Sequence, residues 1–118
     1  MVLSAANGSE SVELTRTVEI DVVLLALDMG GRNGWKIFEQ LASENPMLPI
    51  IVITARPNQS FAAMAAGVGA LLEKPLDVPK LFLAIRNLLE ESNDVRLARV
   101  AGRPSEFHYV PPRVNGLN

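Results

Sequence analysis

The sequence predicts an α/β protein whose mostly parallel sheet is covered by helices on both faces. Short apolar runs, VVLLAL at 22–27, IIVI at 50–53 and ALL at 70–72, alternate with longer segments of helical periodicity. Continuous apolar runs, as opposed to alternating ones, are typical of strands that are buried on both faces. Because strands and helices alternate along the chain, we expect right-handed crossovers between parallel strands.

The first unit combines a short strand, MVLSA, with a helix over NGSESVELTR, in which Asn7 is the N-cap and Glu10 the N3 residue of a capping-box variant. The second helix, GWKIFEQLASENP, has Asn33 as its predicted N-cap and ends at Asn45-Pro46. Its apolar positions fall on one face, which predicts a core-facing stripe of Trp35, Phe38, Leu41 and Ala42.

Two further helices follow. The alanine-rich segment PNQSFAAMAAG is capped by Asn58 and ended by Gly67 at C′. The segment LDVPKLFLAIRNLLEE has Asp77 as N-cap and Pro79 in its first turn. Its predicted core-facing residues are Val78, Leu81, Phe82, Ile85, Leu88 and Leu89. The chain therefore contains about four strands and four helices through residue 91.

Residues 92–118 form a separate, mildly basic C-terminal extension, with four arginines (Arg96, Arg99, Arg103 and Arg113) against Asp94 and Glu106. The segments VRLARVAG and EFHYVPP are β-prone, which indicates a hairpin over about 95–110 or a docked arm, with a loosely attached terminal arm as the alternative. The last eight residues are predicted to form a loop. We accordingly divide the chain into a domain at 1–91 and an extension at 92–118.

Composition limits the function. The 118 residues include no cysteine and one histidine, His108, so a disulfide framework, a thiolate site or a histidine-cluster metal site is not expected. The net charge of −2 gives no electrostatic case for nucleic acid or an anionic membrane as partner. Because no run is long enough for a membrane span and the N-terminus does not resemble a signal peptide, we expect a cytoplasmic location.

In an open parallel sheet, ligands bind at the carboxyl ends of the strands. Those ends are Ala26-Leu27-Asp28, Thr54-Ala55 and Glu73-Lys74-Pro75. A hydroxyl group and an ammonium group are therefore expected at one edge. The glycines of GGRNG fit neither a P-loop nor a dinucleotide fingerprint.

Residues 2–91 resemble the receiver domain of bacterial two-component response regulators, a flavodoxin-like three-layer sandwich. The segments that carry the resemblance are DVVLLALDMGGRNGW, LPIIVITA, AAGVGALLEKPLD and LFLAIRNLLEE. It places Thr54 on the phosphate-sensing hydroxyl residue, Lys74 on the active-site lysine and Pro75 on a proline that often follows a cis bond. The implied reaction is transfer of a phosphoryl group from a partner histidine to an aspartate, assisted by carboxylate-bound Mg²⁺.

Three departures from the family pattern are predicted. The phosphoacceptor position holds Ala26, and the aromatic position three residues before the lysine holds Leu71. MVLSA and the helix after it match the family's second strand and helix, so the first β-α unit, with its Mg²⁺-binding acidic pair, is missing. We therefore expect no metal and no other cofactor. Asp28, two residues after Ala26, is a possible substitute carboxylate, although a turn residue is favoured.

The missing strand would be the middle one of a sheet ordered 2-1-3-4-5, which leaves a gap to be closed. The second strand could pair with the third, the C-terminal extension could enter, or another protomer could supply a strand. Pairing of the second with the third strand, or dimerisation, is favoured over insertion of the extension.

The sequence thus predicts a degenerate receiver-like domain, not an enzyme, that acts through protein contacts. The expected partner is a histidine kinase or another response-regulator component, with a homodimer as a further possibility. The suspected surface is formed by the last strand with PNQSFAAMAAG and VPKLFLAIRNLLEE. One alternative is a genuine phosphoacceptor receiver in a truncated or altered chain. Another is a small flavodoxin-like enzyme or nucleotide binder, for which only Asp28, Thr54, Glu73 and Lys74 are available.

Overall fold

The computed structural model describes residues 2–5, 20–26, 34–55, 63, 66–100 and 108–112. Five strands and three helices have both ends within these ranges, and Ala63 and Ala66 are helical residues that precede Gly67. In chain order they are β1 (Val2–Ala5), β2 (Val22–Ala26), α1 (Gly34–Glu44), β3 (Ile50–Thr54), β4 (Ala70–Glu73), α2 (Val78–Leu89), α3 (Asn93–Val100) and β5 (His108–Val110).

The strands form one parallel sheet in the order β1-β2-β3-β4-β5. The predicted strands at 22–27, 50–53 and 70–72 are confirmed to within one residue at each end, and MVLSA supplies β1. In these buried strands, neighbouring residues alternate between the two faces of the sheet.

Each face of the sheet has its own apolar cluster. On the α1 face, the buried residues include Val23, Leu25, Phe38, Leu41 and Val52. On the α2 face they are Val22, Ile51, Ala70, Leu72, Ala84 and Leu88. Because consecutive residues of β2 enter opposite clusters, continuous apolar runs are required, as the sequence predicted. The result is the expected sandwich of helix, sheet and helix.

Helix α1 packs through the stripe that its periodicity predicted. Phe38 and Leu41 are buried, and Trp35 and Ala42 are half-buried against them. The rings of Trp35 and Phe38 meet edge to face, with centroids 5.7 Å apart, a favourable arrangement for two aromatic quadrupoles. The helix ends at Glu44, immediately before Asn45-Pro46, as predicted.

Helix α2 begins as predicted, but its core-facing stripe was partly wrong. The Asp77 carboxylate accepts a hydrogen bond from the Lys80 backbone N–H at 3.3 Å, which satisfies one of the unpaired donors of the first turn. Ala84 and Leu88 are buried, with Leu81 and Ile85 half-buried beside them. Contrary to the prediction, Val78, Phe82 and Leu89 are exposed. The helix is apolar over more of its circumference than the sheet covers, and small Ala84 lies at the centre of the contact.

Two positions before β4 require glycine, one for its backbone conformation and the other for close packing. Gly67 has φ of 86°, and the N–H of Val68 donates to the Ala63 carbonyl at 3.1 Å, which is the 6→1 bond of a Schellman motif. The predicted role of Gly67 at C′ is confirmed. At Gly69, an added Cβ would lie 2.9 Å from Leu88 Cδ2. Gly69 therefore lets α2 approach the start of β4 closely.

In the C-terminal extension, the predicted hairpin is wrong, since residues 93–100 form helix α3. The Ser92 hydroxyl accepts a hydrogen bond from the Val95 N–H at 3.3 Å, and Asp94 lies in the first turn, where a negative charge favours the helix dipole. These start signals outweigh the modest β propensity of VRLARVAG. The docked-arm alternative is supported, because β5 joins the sheet beside β4.

The predicted gap in the sheet is closed by direct pairing of β1 with β2, in the register Val2↔Val22 to Ala5↔Leu25. This is one of the two repairs that the sequence analysis favoured. The extension does enter the sheet, but at the opposite edge. Other predictions, on Asn7, Glu10, Asp28, Asn33, Asn58, Arg103 and Arg113, lie outside the described residues. Among the helices that the structure describes, none is long and apolar enough to cross a membrane.

Candidate functional site at the carboxyl end of the sheet

The carboxyl ends of β2, β3 and β4 meet at one edge. Ala26 is paired with Ile53, and Thr54 is paired with Glu73, which directly precedes Lys74. Since neighbouring strands lie about 4.8 Å apart, Ala26, Thr54 and the Glu73-Lys74 pair occupy adjacent positions along this edge. The fold thus brings together the strand-end residues that the sequence singled out.

Thr54 and Lys74 differ in their surroundings. The Thr54 side chain is fully buried, whereas Lys74 is exposed. The Lys74 N–H donates to the Thr54 carbonyl at 2.8 Å, which holds the start of the turn after β4 against the end of β3. The Lys74-Pro75 peptide bond is cis, as the resemblance implied for Pro75. A hydroxyl and an ammonium group at one edge are donors suited to an oxyanion.

Ala26 ends β2 at the position where the resemblance places a nucleophile. It is half-buried, and its methyl group has neither a lone pair to attack phosphorus nor an oxygen to bind a cation. Asp28, the proposed substitute, lies outside the described residues. Among the residues whose placement is described, no group of three or more acidic, histidine or cysteine side chains is arranged to hold a metal ion.

Sequence reasoning missed one contact at this edge. The Tyr109 hydroxyl of β5 donates to Glu73 Oε1 at 2.6 Å. This hydrogen bond, with desolvation and the negative charge of Glu73, raises the pKa of Tyr109 above its usual 10.0. The available signal was HYV followed by two prolines, since a short β-prone run ended by proline is typical of an edge strand.

Leu71 occupies the position where the resemblance places an aromatic residue. It is fully buried in the cluster on the α1 face and is paired with Tyr109 across β4 and β5. A buried aliphatic side chain of this kind contributes to packing, and it has no polar group that responds to charge at the strand ends.

A second feature is the apolar outer surface of α2. Phe82 is 64% exposed and Leu83 is 54% exposed, and Val78 and Leu89 are also exposed. Single exposed large side chains are ordinary, but α2 has four of them among its 12 residues. These four side chains are called the α2 surface below. It belongs to the region that the sequence analysis suspected of binding a partner.

The family-level comparison agrees with this fold. The model of the response regulator receiver domain matches residues 1–86, which is most of the chain. The chain therefore belongs to the response regulator receiver domain family, whose members are signalling domains of two-component systems.

Individual relatives include transcriptional regulatory proteins and the protein PilH. The chain is 31% identical over 93 residues to the transcriptional regulatory protein GlrR of Escherichia coli, and this match covers 77% of the chain but only 21% of GlrR. It is 34% identical over 92 residues to the protein PilH of Pseudomonas aeruginosa, covering 75% of the chain and 76% of PilH. The chain thus spans about a fifth of the length of regulators such as GlrR.

Solved structures show the same fold. The receiver domain of the Francisella response regulator 1452 superposes with a TM-score of 0.65 at 23% identity, covering 73% of each chain. A CheY-like receiver domain protein from Methanospirillum hungatei gives a TM-score of 0.64 at 20% identity, covering 79% of this chain and 73% of that one. The prediction of a receiver-like α/β sandwich is confirmed.

Proposed function

We propose that this chain is a pseudo-receiver, a cytoplasmic receiver domain that signals through protein contacts without being phosphorylated at the usual position. The observation that carries the proposal is the methyl group of Ala26 at the end of β2, on the same edge of the sheet as Thr54 and Lys74. Phosphoryl transfer to a receiver needs a carboxylate nucleophile at that point, and alanine supplies none.

The arrangement of the sheet also supports the proposal that the domain works without a bound metal ion. β1 pairs directly with β2, so in the described sheet no strand lies between them to carry an acidic pair. Mg²⁺ requires carboxylate or phosphate oxygens in nearly octahedral geometry. Of the described residues at this edge, Glu73 is the acidic one, and it accepts a hydrogen bond from Tyr109. We therefore propose that the domain works without Mg²⁺ or another cofactor.

The contact function is assigned to the α2 surface. Its exposed side chains, Phe82 and Leu83 above all, offer apolar area that a partner would remove from water. The proposed partner is a histidine kinase or another response-regulator component, by analogy with the family. Binding would then be constitutive, because no phosphoryl group is needed to create the surface.

A second candidate function is a working phosphoacceptor receiver. It is favoured by the presence of Thr54 and Lys74 at this edge, whose hydroxyl and ammonium groups would hold a phosphoryl group once it was attached. In this case the acceptor would be a carboxylate other than residue 26, and Asp28 is the candidate.

Intact-mass measurement after incubation with acetyl phosphate and Mg²⁺ separates the two functions. A phosphorylated chain gains about 80 Da, the mass of one phosphoryl group. We expect no gain for the natural chain. A receiver domain with an aspartate at the acceptor position, treated in parallel, shows that the phosphate donor is active.

Two variants make the result specific. Ala26→Asp restores the nucleophile alone, and we expect it to remain unmodified because, in the described sheet, no strand between β1 and β2 supplies a metal-binding acidic pair. Asp28→Ala tests the substitute carboxylate. A mass gain by the natural chain that is lost in Asp28→Ala would refute the pseudo-receiver and establish the phosphoacceptor function.

The contact function has its own test. Titration calorimetry with the histidine-containing domains of kinases from the same organism, without phosphate donor or Mg²⁺, should detect binding. Phe82→Asp should weaken it by tenfold or more, about 1.4 kcal/mol, because it places a charge in the apolar contact. Leu97→Asp, at an exposed position of α3 (54% exposed), is the matched control. Equal losses in both variants would place the contact elsewhere.

A further inference from the structure

The C-terminal strand β5 covers the edge of β4 with very few contacts. It pairs over three residues, Ala70↔His108, Leu71↔Tyr109 and Leu72↔Val110. Beyond the ladder, the described contacts are the hydrogen bond from Tyr109 to Glu73 and the packing of Val110 against the cluster on the α2 face. Pro111 and Pro112 follow at once, and proline cannot extend a ladder of backbone hydrogen bonds.

Strand β5 is also incompletely packed against the rest of the domain. An open groove of about 480 Å³ lies between α2 and the strand, lined on one side by Lys80, Leu83 and Asn87 and on the other by Tyr109 and Pro111. Tyr109 is 45% exposed and Val110 is only half-buried. The conformational entropy lost when five residues become ordered is therefore comparable to the free energy gained from three residues of backbone pairing. The strand is held much less firmly than β2, β3 or β4.

All the described contacts that hold β5 are made by the segment 108–112 itself. The backbone pairing, the Tyr109 hydroxyl, the Val110 side chain and the terminating prolines lie within five consecutive residues. None of these contacts depends on the residues that join the segment to α3. The same segment of another copy would thus meet the same partners at the edge of β4.

We propose that the edge of β4 and the adjoining groove form a docking site for an extended segment, and that residues 108–112 of a second copy of this chain can replace the chain's own at this site. Two copies would then be joined by exchanging their C-terminal strands, a route to dimers that requires no new surface. This proposal does not rest on the pseudo-receiver function, since it does not involve Ala26, although the groove shares Leu83 with the α2 surface.

The test uses the full chain and a fluorescent peptide, EFHYVPPR, corresponding to residues 106–113. Val110→Asp in the full chain places a charge against the apolar cluster and releases the chain's own strand while leaving the edge of β4 intact. By fluorescence anisotropy we expect the peptide to bind this variant at least about tenfold more tightly than the natural chain, because a site already occupied binds with reduced apparent affinity.

Three controls accompany this measurement. A peptide with aspartate in place of the valine should not bind. Leu97→Asp, in another part of the extension, should leave the affinity of the natural chain unchanged. If circular dichroism shows Val110→Asp to be unfolded, Tyr109→Phe, which removes only the hydrogen bond to Glu73, should still raise peptide affinity, by about two- to fivefold.

Exchange between copies is measured by light scattering across concentration. The natural chain should form dimers as its concentration rises, and Val110→Asp should not. Equal peptide affinity for the natural chain and Val110→Asp, or no binding to either, would overturn the docking site. Peptide binding to Val110→Asp with a natural chain that stays monomeric up to millimolar concentration would overturn exchange and leave a different extended peptide as the occupant.

Discussion

The two ends of the parallel sheet differ in whether their described charged side chains are buried. At the carboxyl end, Lys74 is exposed, and Ala26 brings only a methyl group. At the amino end, α3 lies near the starts of β2 and β3, where Arg96 shares a cavity with Asp21 and Pro49. There Glu91 and Arg99 form an ion pair, their side chains only 7% and 5% exposed.

The buried pair is part of a three-residue cluster. Arg96 lies 3.9 Å from the other Glu91 oxygen and donates to the Leu88 carbonyl at 2.9 Å. That carbonyl belongs to the last turn of α2, where cations are favoured. At the amino end, ion pairs from Glu91 to Arg96 and Arg99 thus attach the extension to the domain. At the carboxyl end, the described charged side chains of Glu73 and Lys74 are not buried.

The largest expected effect is at the amino end. Glu91→Ala leaves the buried Arg99 guanidinium without its carboxylate, and we expect the free energy of unfolding to fall by about 3 kcal/mol. Denaturant titration measures this. Glu90→Ala removes the neighbouring carboxylate, which pairs with Arg86 on the exposed surface, and should cost no more than about 0.5 kcal/mol. Similar losses in the two variants would show that the buried cluster does not anchor α3.

Gly69→Ala tests the packing of α2 on the sheet. The new methyl group would lie 2.9 Å from Leu88 Cδ2, so Leu88 must move, at a cost of about 1–2 kcal/mol. The double variant Gly69→Ala/Leu88→Val should lose less than the sum of the two single variants, because the shorter valine gives the methyl group room. Strict additivity in thermal unfolding would mean that the two positions do not touch.

Asp77→Ala removes the N-cap of α2 and should cost about 1 kcal/mol. Asp77→Asn retains an oxygen that accepts the Lys80 N–H and should cost much less. The comparison is made by thermal unfolding. If both substitutions cost the same, the stabilisation would come from the charge of Asp77 and not from its hydrogen bond.

Asp77 also shows what kind of structure was readable from the sequence. Local signals, such as the Asp77 cap, Gly67 at C′ and the continuous apolar strands, predicted most elements between residues 22 and 89. They are contained within a few consecutive residues, so a single sequence reveals them. The resemblance added the order of the strand-end residues and the cis bond before Pro75.

The errors arose where distant residues decide the structure. Phe82 was assigned to the core because periodicity shows which residues share a helix face, but it does not show how much of that face the sheet covers. Helix α3 has local start signals in Ser92 and Asp94, but its attachment through Arg99 and Glu91, eight residues apart, depends on how the chain turns after α2. The contact of Tyr109 with Glu73 required the pairing of β5 with β4, which no local pattern contains.

At the carboxyl end, Lys74→Ala should change the free energy of unfolding by less than about 0.5 kcal/mol, as is usual for exposed side chains. This small value, set beside the large loss for Glu91→Ala, is the direct measure of the difference between the two ends. A loss above about 1 kcal/mol would show that Lys74 is needed to hold the strand ends together, and the contrast would fail.

The smallest effect is the titration of Tyr109, the single tyrosine of the chain. Its pKa is raised above 10.0 by the hydrogen bond to Glu73, then by desolvation and the carboxylate charge. The raised pKa favours the protonated form in the folded chain, so this contribution to stability is fully present below about pH 10 and is lost as pH rises through the folded-state pKa. Ultraviolet absorbance of tyrosinate follows the titration without interference from another tyrosine. We expect a midpoint above that of the denatured chain, and Glu73→Ala should abolish the difference.

The same titration reports whether strand β5 is docked, because Tyr109 meets Glu73 only when β5 lies on the edge of β4. Val110→Asp should therefore also abolish the difference in midpoint between the folded and the denatured chain. A raised midpoint that survives in Val110→Asp would show that β5 remains on the edge of β4 without its valine side chain.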